Sequence, residues 1–115
     1  MKRPVLIASV LCSLATEAHA MVGSDLKKYC QFFPRETEAT AVCMAYIGGS
    51  SDVIRLFTNN PSSPVFCEPP GVTLEQLIAM TVKYLNDRPQ QLHFNAASLI
   101  RNMLIEYFPC GRNRN

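Results

Sequence analysis

Five cysteines are the residues best placed to do chemistry here, and beyond residue 20 four of them are left: Cys30, Cys43, Cys67 and Cys110. Thiols serve as metal ligands, as nucleophiles or as halves of disulfides. Structural zinc calls for closely paired ligands such as C-x-x-C, whereas these four are separated by 12, 23 and 42 intervening residues. A nucleophilic cysteine needs a base and a group to orient it, and past residue 20 the chain has the single histidine His93. No G-x-S-x-G, H-E-x-x-H or P-loop pattern occurs. Asp52 and the scattered glutamates form no evident acid/base pair. The residue types therefore argue against an enzyme and against a metal centre, and for disulfides. Four cysteines allow three connectivities, and spacing alone does not prove one.

Disulfides need an oxidising compartment, and the first twenty residues supply a route to one. "MKRPVLIASVLCSLATEAHA" has a basic start (Lys2, Arg3), an apolar run from Val5 to Leu14, and the small-x-small site Ala18-His19-Ala20. This is the pattern of a secretory signal peptide, with cleavage expected after Ala20. The apolar run falls short of the 18 or so residues a membrane anchor needs. Cys12 leaves with the signal, and bulky Leu11 before it argues against a lipoprotein site. The expected product is one domain, residues 21–115, in the periplasm. Losing Lys2, Arg3 and Glu17 leaves nine basic against eight acidic side chains, a net charge of +1. Neither a basic stripe for nucleic acid nor a like-charge run for an anionic membrane is present.

The elements that must position these cysteines read as four helices with no convincing strand, an all-α class. "SDLKKYC" offers Ser24 as N-cap and spaces Leu26, Tyr29 and Cys30 along one face. After Pro34, "ETEATAVCMAYIGGSSDVIRLF" carries Ala39, Val42, Cys43, Tyr46, Ile47, Val53, Ile54 and Phe57 at helical spacings. Each of Gly48 and Gly49 costs about 1 kcal/mol relative to alanine inside a helix. The pair predicts a break, a kink or a close backbone approach. "TNNPSSP" is a loop by composition.

The third helix has the clearest start: Thr73 and Gln76 at capping-box spacing, Val72 and Leu77 at staple spacing. Leu74, Leu77, Ile78, Thr81, Tyr84 and Leu85 form its stripe. A fourth helix, capped by Asn95, turns Ala96, Leu99, Ile100, Met103, Leu104, Tyr107 and Phe108 inward and stops at Pro109. Helices three and four, each roughly 14 residues or about 21 Å, are joined by about eight residues, which makes them antiparallel neighbours. Cys67 precedes the start of one and Cys110 follows the end of the other, so Cys67–Cys110 is the expected bridge and Cys30–Cys43 the remaining one. In the loop-entropy picture such bridges contribute about 4 and about 3 kcal/mol. Tyr46, Ile47, Tyr84 and Tyr107 are expected core.

The order of "CMAYIGGSSD", "FCEPPGVTLEQL", "YLNDRP" with His93 and Ala96 following, and the terminal "FPC" resembles the Rap/Tai family of type VI secretion amidase immunity proteins. The likeness runs from about Leu26 to Cys110. Two positions depart from the pattern: Ser50, where an apolar residue is expected, and Met103, where a small one commonly stands. The resemblance implies a compact, helical periplasmic protein without cofactors, often a homodimer. Its partner would be a peptidoglycan amidase effector, whose active-site groove it occludes. Such a plug is a protruding segment on a rigid base, so the hairpin tip, Asn86, Asp87, Arg88, Gln90, Gln91 and His93, is the expected contact surface, with a plain connector as the competing reading. A disulfide-bonded periplasmic stress chaperone is the alternative function.

Overall fold

The computed structural model describes residues 19–111. All but the last two residues of the expected signal peptide, Cys12 included, lie outside that range. Within it are four α-helices: α1 (Gly23–Cys30), α2 (Glu38–Thr58), α3 (Leu74–Asn86) and α4 (Ala96–Tyr107), with a 3₁₀ turn at Pro89–Gln91. Among the described residues β pairing is limited to two isolated bridges, Val22 with Asn95 and Asn60 with Ser63. The all-α expectation holds.

Helix α3 begins where its capping chemistry dictates. Thr73 Oγ1 accepts from Gln76 N–H at 3.2 Å, and Gln76 Oε1 accepts from Thr73 N–H at 2.8 Å. Gly71, at φ +87°, makes the preceding turn in a conformation that disfavours other residues. Helix α4 is capped by Asn95, whose Oδ1 accepts from Ser98 N–H at 3.2 Å. Thr37 caps α2 in the same way, through Thr40 N–H at 3.1 Å.

One expectation about a helix end is corrected, and of the three readings of the glycine pair the break is excluded. The N-cap of α1 is Val22, not Ser24, and no side chain caps it. The orphan N–H groups of Gly23 and Ser24 bond instead to the carbonyls of Phe94 and Leu92, at 3.0 and 2.9 Å. The cap of α1 is thus a distant piece of chain. Helix α2 runs unbroken for 21 residues through Gly48-Gly49. Buried Cys43 and Ile47 before the pair, and Ser51 and Ile54 after it, fasten both halves to the same core. That packing outweighs a glycine cost of about 1 kcal/mol each. Gly48 does mark a contact, since a Cβ there would lie 3.6 Å from the Leu74 side chain.

The core draws on every helix. Leu26, Cys43, Ile47, Ile78, Leu85, Leu99, Ile100, Met103 and Leu104 are all essentially inaccessible to solvent. Met103, one of the departures noted above, is accommodated without exposure, as a flexible unbranched side chain allows. Tyr84 is buried, but Tyr46 and Tyr107 pack only partly against the core. Phe66 is fully buried although it sits in the loop between α2 and α3. The hydroxyl of Ser51 is also buried, with no hydrogen-bond partner. An unsatisfied buried donor is costly, so Ser51→Ala is expected to stabilise the fold by about 1 kcal/mol, raising the melting temperature by roughly 4–8 °C. Thermal denaturation monitored by circular dichroism measures this directly.

Candidate functional site

The α3–α4 hairpin has two differently built ends. At the end formed by the start of α3 and the exit of α4, Cys67 and Cys110 are bonded, with Cα atoms 4.7 Å apart. Cys67 N–H also donates to Phe108 O at 2.7 Å, so the backbone reinforces the bridge. Next to it Arg55 on α2 grips Glu68, Nε to Oε2 at 2.7 Å and Nη2 to Oε1 at 2.8 Å, and reaches Asp52 Oδ1 at 2.8 Å. The Glu68 hydrogen bond, opposed by burial, holds the Arg55 guanidinium above its ordinary pKa. The second bridge, Cys30–Cys43, joins the end of α1 to α2, with Cα atoms 5.0 Å apart.

The bridges differ in access. Cys30 and Cys43 are buried, whereas Cys67 is exposed and Cys110 half-buried. Thiol–disulfide exchange requires approach of a thiolate to sulfur. Graded dithiothreitol under native conditions is therefore expected to open Cys67–Cys110 first. Alkylation and peptide mapping should find label at 67 and 110 while 30 and 43 stay joined.

The opposite end is the tip expected to make contact. Asn86 closes α3 and is exposed, and Asp87, also exposed, pairs with Lys83 at 2.6 Å. Arg88 is committed elsewhere: its guanidinium lies 3.9 Å from the centroid of the Tyr84 ring and its Nη2 bonds Glu106 Oε2 at 2.6 Å. Tyr84 in turn meets Tyr107 edge-on at 6.0 Å. Burial raises the pKa of the Tyr84 phenol, with Arg88 pulling the other way. Arg88 thus locks α3 to α4 more than it faces outward. Gln90 and His93 are exposed and Gln91 is half-buried.

Two features of the tip escaped the sequence reading. Phe94, 49% exposed, lies against His93 with ring centroids 4.3 Å apart and the ring planes tilted by 44°. An aromatic residue in a polar loop was the available signal. The tip is also not free-standing. Besides the Gly23 and Ser24 hydrogen bonds, Ala96 N–H donates to Met21 O at 2.9 Å, so residues 21–24 are laid along the loop as a brace. A Cβ on Gly23 would come within 2.5 Å of Leu99 Cδ1 and 3.2 Å of Leu92 backbone atoms. A side chain there would have to push aside the Leu99 methyl and crowd the Leu92 backbone.

Among the described residues no group of three or more His, Cys, Asp or Glu side chains is arranged to hold a metal, and no helix is long and apolar enough to cross a membrane. Fold and site together define a small helical protein, closed by two disulfides, with amide, imidazole and phenyl groups exposed at the tip of a braced hairpin. The family model for Rap1a immunity proteins matches residues 22–110, and the chain belongs to that family. No curated protein and no solved structure shows significant similarity to it. Membership implies protection against a cognate effector by binding it. The two disulfides are the chemistry of an extracytoplasmic compartment.

Proposed function

We propose that this chain is exported, cleaved after Ala20, and acts in the periplasm as a single domain, residues 21–115. There it inhibits a peptidoglycan amidase delivered by type VI secretion. Inhibition is stoichiometric and non-catalytic: the protein occludes the active-site groove of the amidase and performs no reaction on it. The observation that carries this reading is the Rap1a match across residues 22–110. The braced tip supports it, because a loop already ordered by Met21, Gly23 and Ser24 has little freedom left to lose on binding. Of the six expected contact residues, Asn86, Asp87, Gln90 and His93 are exposed, with Phe94 beside them, and Gln91 is half-buried. Arg88 acts by holding the hairpin shut. The protein works as a homodimer.

The test is inhibition of purified type VI peptidoglycan amidases, using peptidoglycan fragments as substrate. Equimolar oxidised protein should abolish hydrolysis. Replacing Gln90 and His93 together by glutamate should weaken inhibition with the melting temperature unchanged, whereas Arg88→Glu should lower the melting temperature. Undiminished hydrolysis at excess inhibitor would refute the proposal. Full inhibition by the Gln90/His93 variant would move the contact off the tip.

A further inference from the structure

Two hollows lie along one face of α3, and Phe33, in the turn between α1 and α2, walls both of them. The first, about 470 Å³, runs from Phe33 past Ala79 and Val82 to Asn86 and Asp87. Its far end is therefore part of the hairpin tip. The second, about 630 Å³, is lined by Phe33, Ala41 and Met44 and by the exposed carboxylates Glu36, Glu38 and Glu75. On α3 the lining residues Glu75, Ala79, Val82 and Asn86 are spaced by four, three and four, a single stripe of a helix. The two hollows thus form one trough, acidic at the start of α3 and amide-bearing at its end, about 16 Å apart along the helix.

The acidic end has no counter-charge of its own. The ion pairs among the described residues are those of Arg55, Lys83 and Arg88, and Glu36, Glu38 and Glu75 belong to none of them. Arg35, next to Glu36 in the chain, is exposed and does not neutralise it. Three like charges around one hollow repel one another, and a cation placed among them relieves that repulsion. The carboxylates are not arranged to hold a metal ion. The apolar surface beside them selects another kind of cation, because lysine and arginine lay an aliphatic stem along such surface and keep the charged head at its polar edge.

We infer that this trough is a second docking site for the amidase. It seats an extended segment of about five residues, enough to span 16 Å, which leaves the tip, lays an apolar side chain over Ala79 and Val82, and ends in a lysine or arginine among Glu36, Glu38 and Glu75. The inference rests on the amidase partner proposed above and adds to it a source of selectivity. The tip fills the catalytic groove, and the trough favours those amidases that carry a cation at the right distance from it, as charge complementarity does at other interfaces.

Isothermal titration of the oxidised protein into a purified type VI amidase tests this. Replacing Glu36, Glu38 and Glu75 together by glutamine should raise the dissociation constant about tenfold at low ionic strength and flatten its dependence on salt. Ala79→Tyr, at an exposed position, fills the apolar stretch and should raise it about tenfold or more. Both variants should keep the wild-type near-ultraviolet spectrum, and at saturation both should still abolish hydrolysis, because the tip is untouched. Unchanged dissociation constants for both, against an amidase that the wild type inhibits, overturn the trough and leave the tip reading standing. Weakening by the glutamines without weakening by Ala79→Tyr overturns the continuous segment. A triple variant that alters sedimentation of the free protein but not its affinity for the amidase gives the trough to a second copy and overturns the assignment. A wild type that neither binds nor inhibits such amidases overturns the proposed function, and the trough with it.

Discussion

Replacing both Cys67 and Cys110 by alanine is expected to remove about 4 kcal/mol of stability, measured as a lower urea midpoint under oxidising conditions. The estimate follows from the loop the bridge closes. A sequence separation of 43 restricts the unfolded chain more than the separation of 13 spanned by Cys30 and Cys43, for which about 3 kcal/mol is expected. Against a total of roughly 5–15 kcal/mol for a domain of this class, losing the longer bridge leaves a marginal fold. The effect on the partner should be smaller than the effect on stability. The bridge lies at the far end of α4, twelve residues or about 18 Å from the tip, and the tip is held independently by Gly23, Ser24 and Met21. At temperatures well below the new melting point the double variant should still inhibit the amidase at equimolar ratio. Proportionate loss of folding and inhibition would show that the clasp, and not the N-terminal brace, orders the tip. A midpoint shift worth less than about 1 kcal/mol would mean the unfolded chain is barely restrained by the bridge.

What could be read ahead of the structure was local. The start of α3 is encoded within four residues, Thr73 to Gln76, whose side chains and backbone satisfy one another. The hairpin follows from a helical stripe on either side of a short connection, and the Cys67–Cys110 pairing follows from the hairpin. Family membership was legible as an ordered series of short motifs. The misreadings came where a distant segment decides a local matter. Ser24 has the chemistry of an N-cap, but carbonyls some seventy residues away in the loop before α4 satisfy the first N–H groups of α1, so the helix starts earlier. Gly48-Gly49 has the propensity of a break, but buried residues on both sides carry the helix on through it. Arg88, an expected contact residue, also has partners that its own neighbourhood in the sequence did not announce: Glu106, 18 positions along, and the Tyr84 ring one turn back. Phe94 and the brace at Met21 and Gly23 belong to the same class, since neither has meaning until residues 21–24 are seen lying against the loop.

Phe66→Ala is expected to cost about 3–5 kcal/mol, the range for truncating a fully buried aromatic side chain. Phe66 is the one fully buried large side chain contributed by the connection between α2 and α3. It plugs that connection into the core while its neighbours fasten it from outside. Asn59 Oδ1 accepts from Val65 N–H at 3.0 Å, Cys67 carries the bridge, and Glu68 holds Arg55. Three anchors on so short a stretch of chain cannot act independently. With the bridge intact, losing the phenyl ring leaves a cavity under a loop that is still tethered, so little relaxation is available and the cost sits high in the range. Once Cys67 and Cys110 are alanine the loop can lift or collapse, and the same truncation should cost less. A double-mutant cycle between Phe66→Ala and the paired cysteine replacements, read by urea denaturation, should therefore show a coupling of roughly 0.5–3 kcal/mol in the direction of less than additive loss. Strict additivity would mean that the ring and the disulfide secure separate pieces of structure, and that the 59–68 segment is not one mechanical unit.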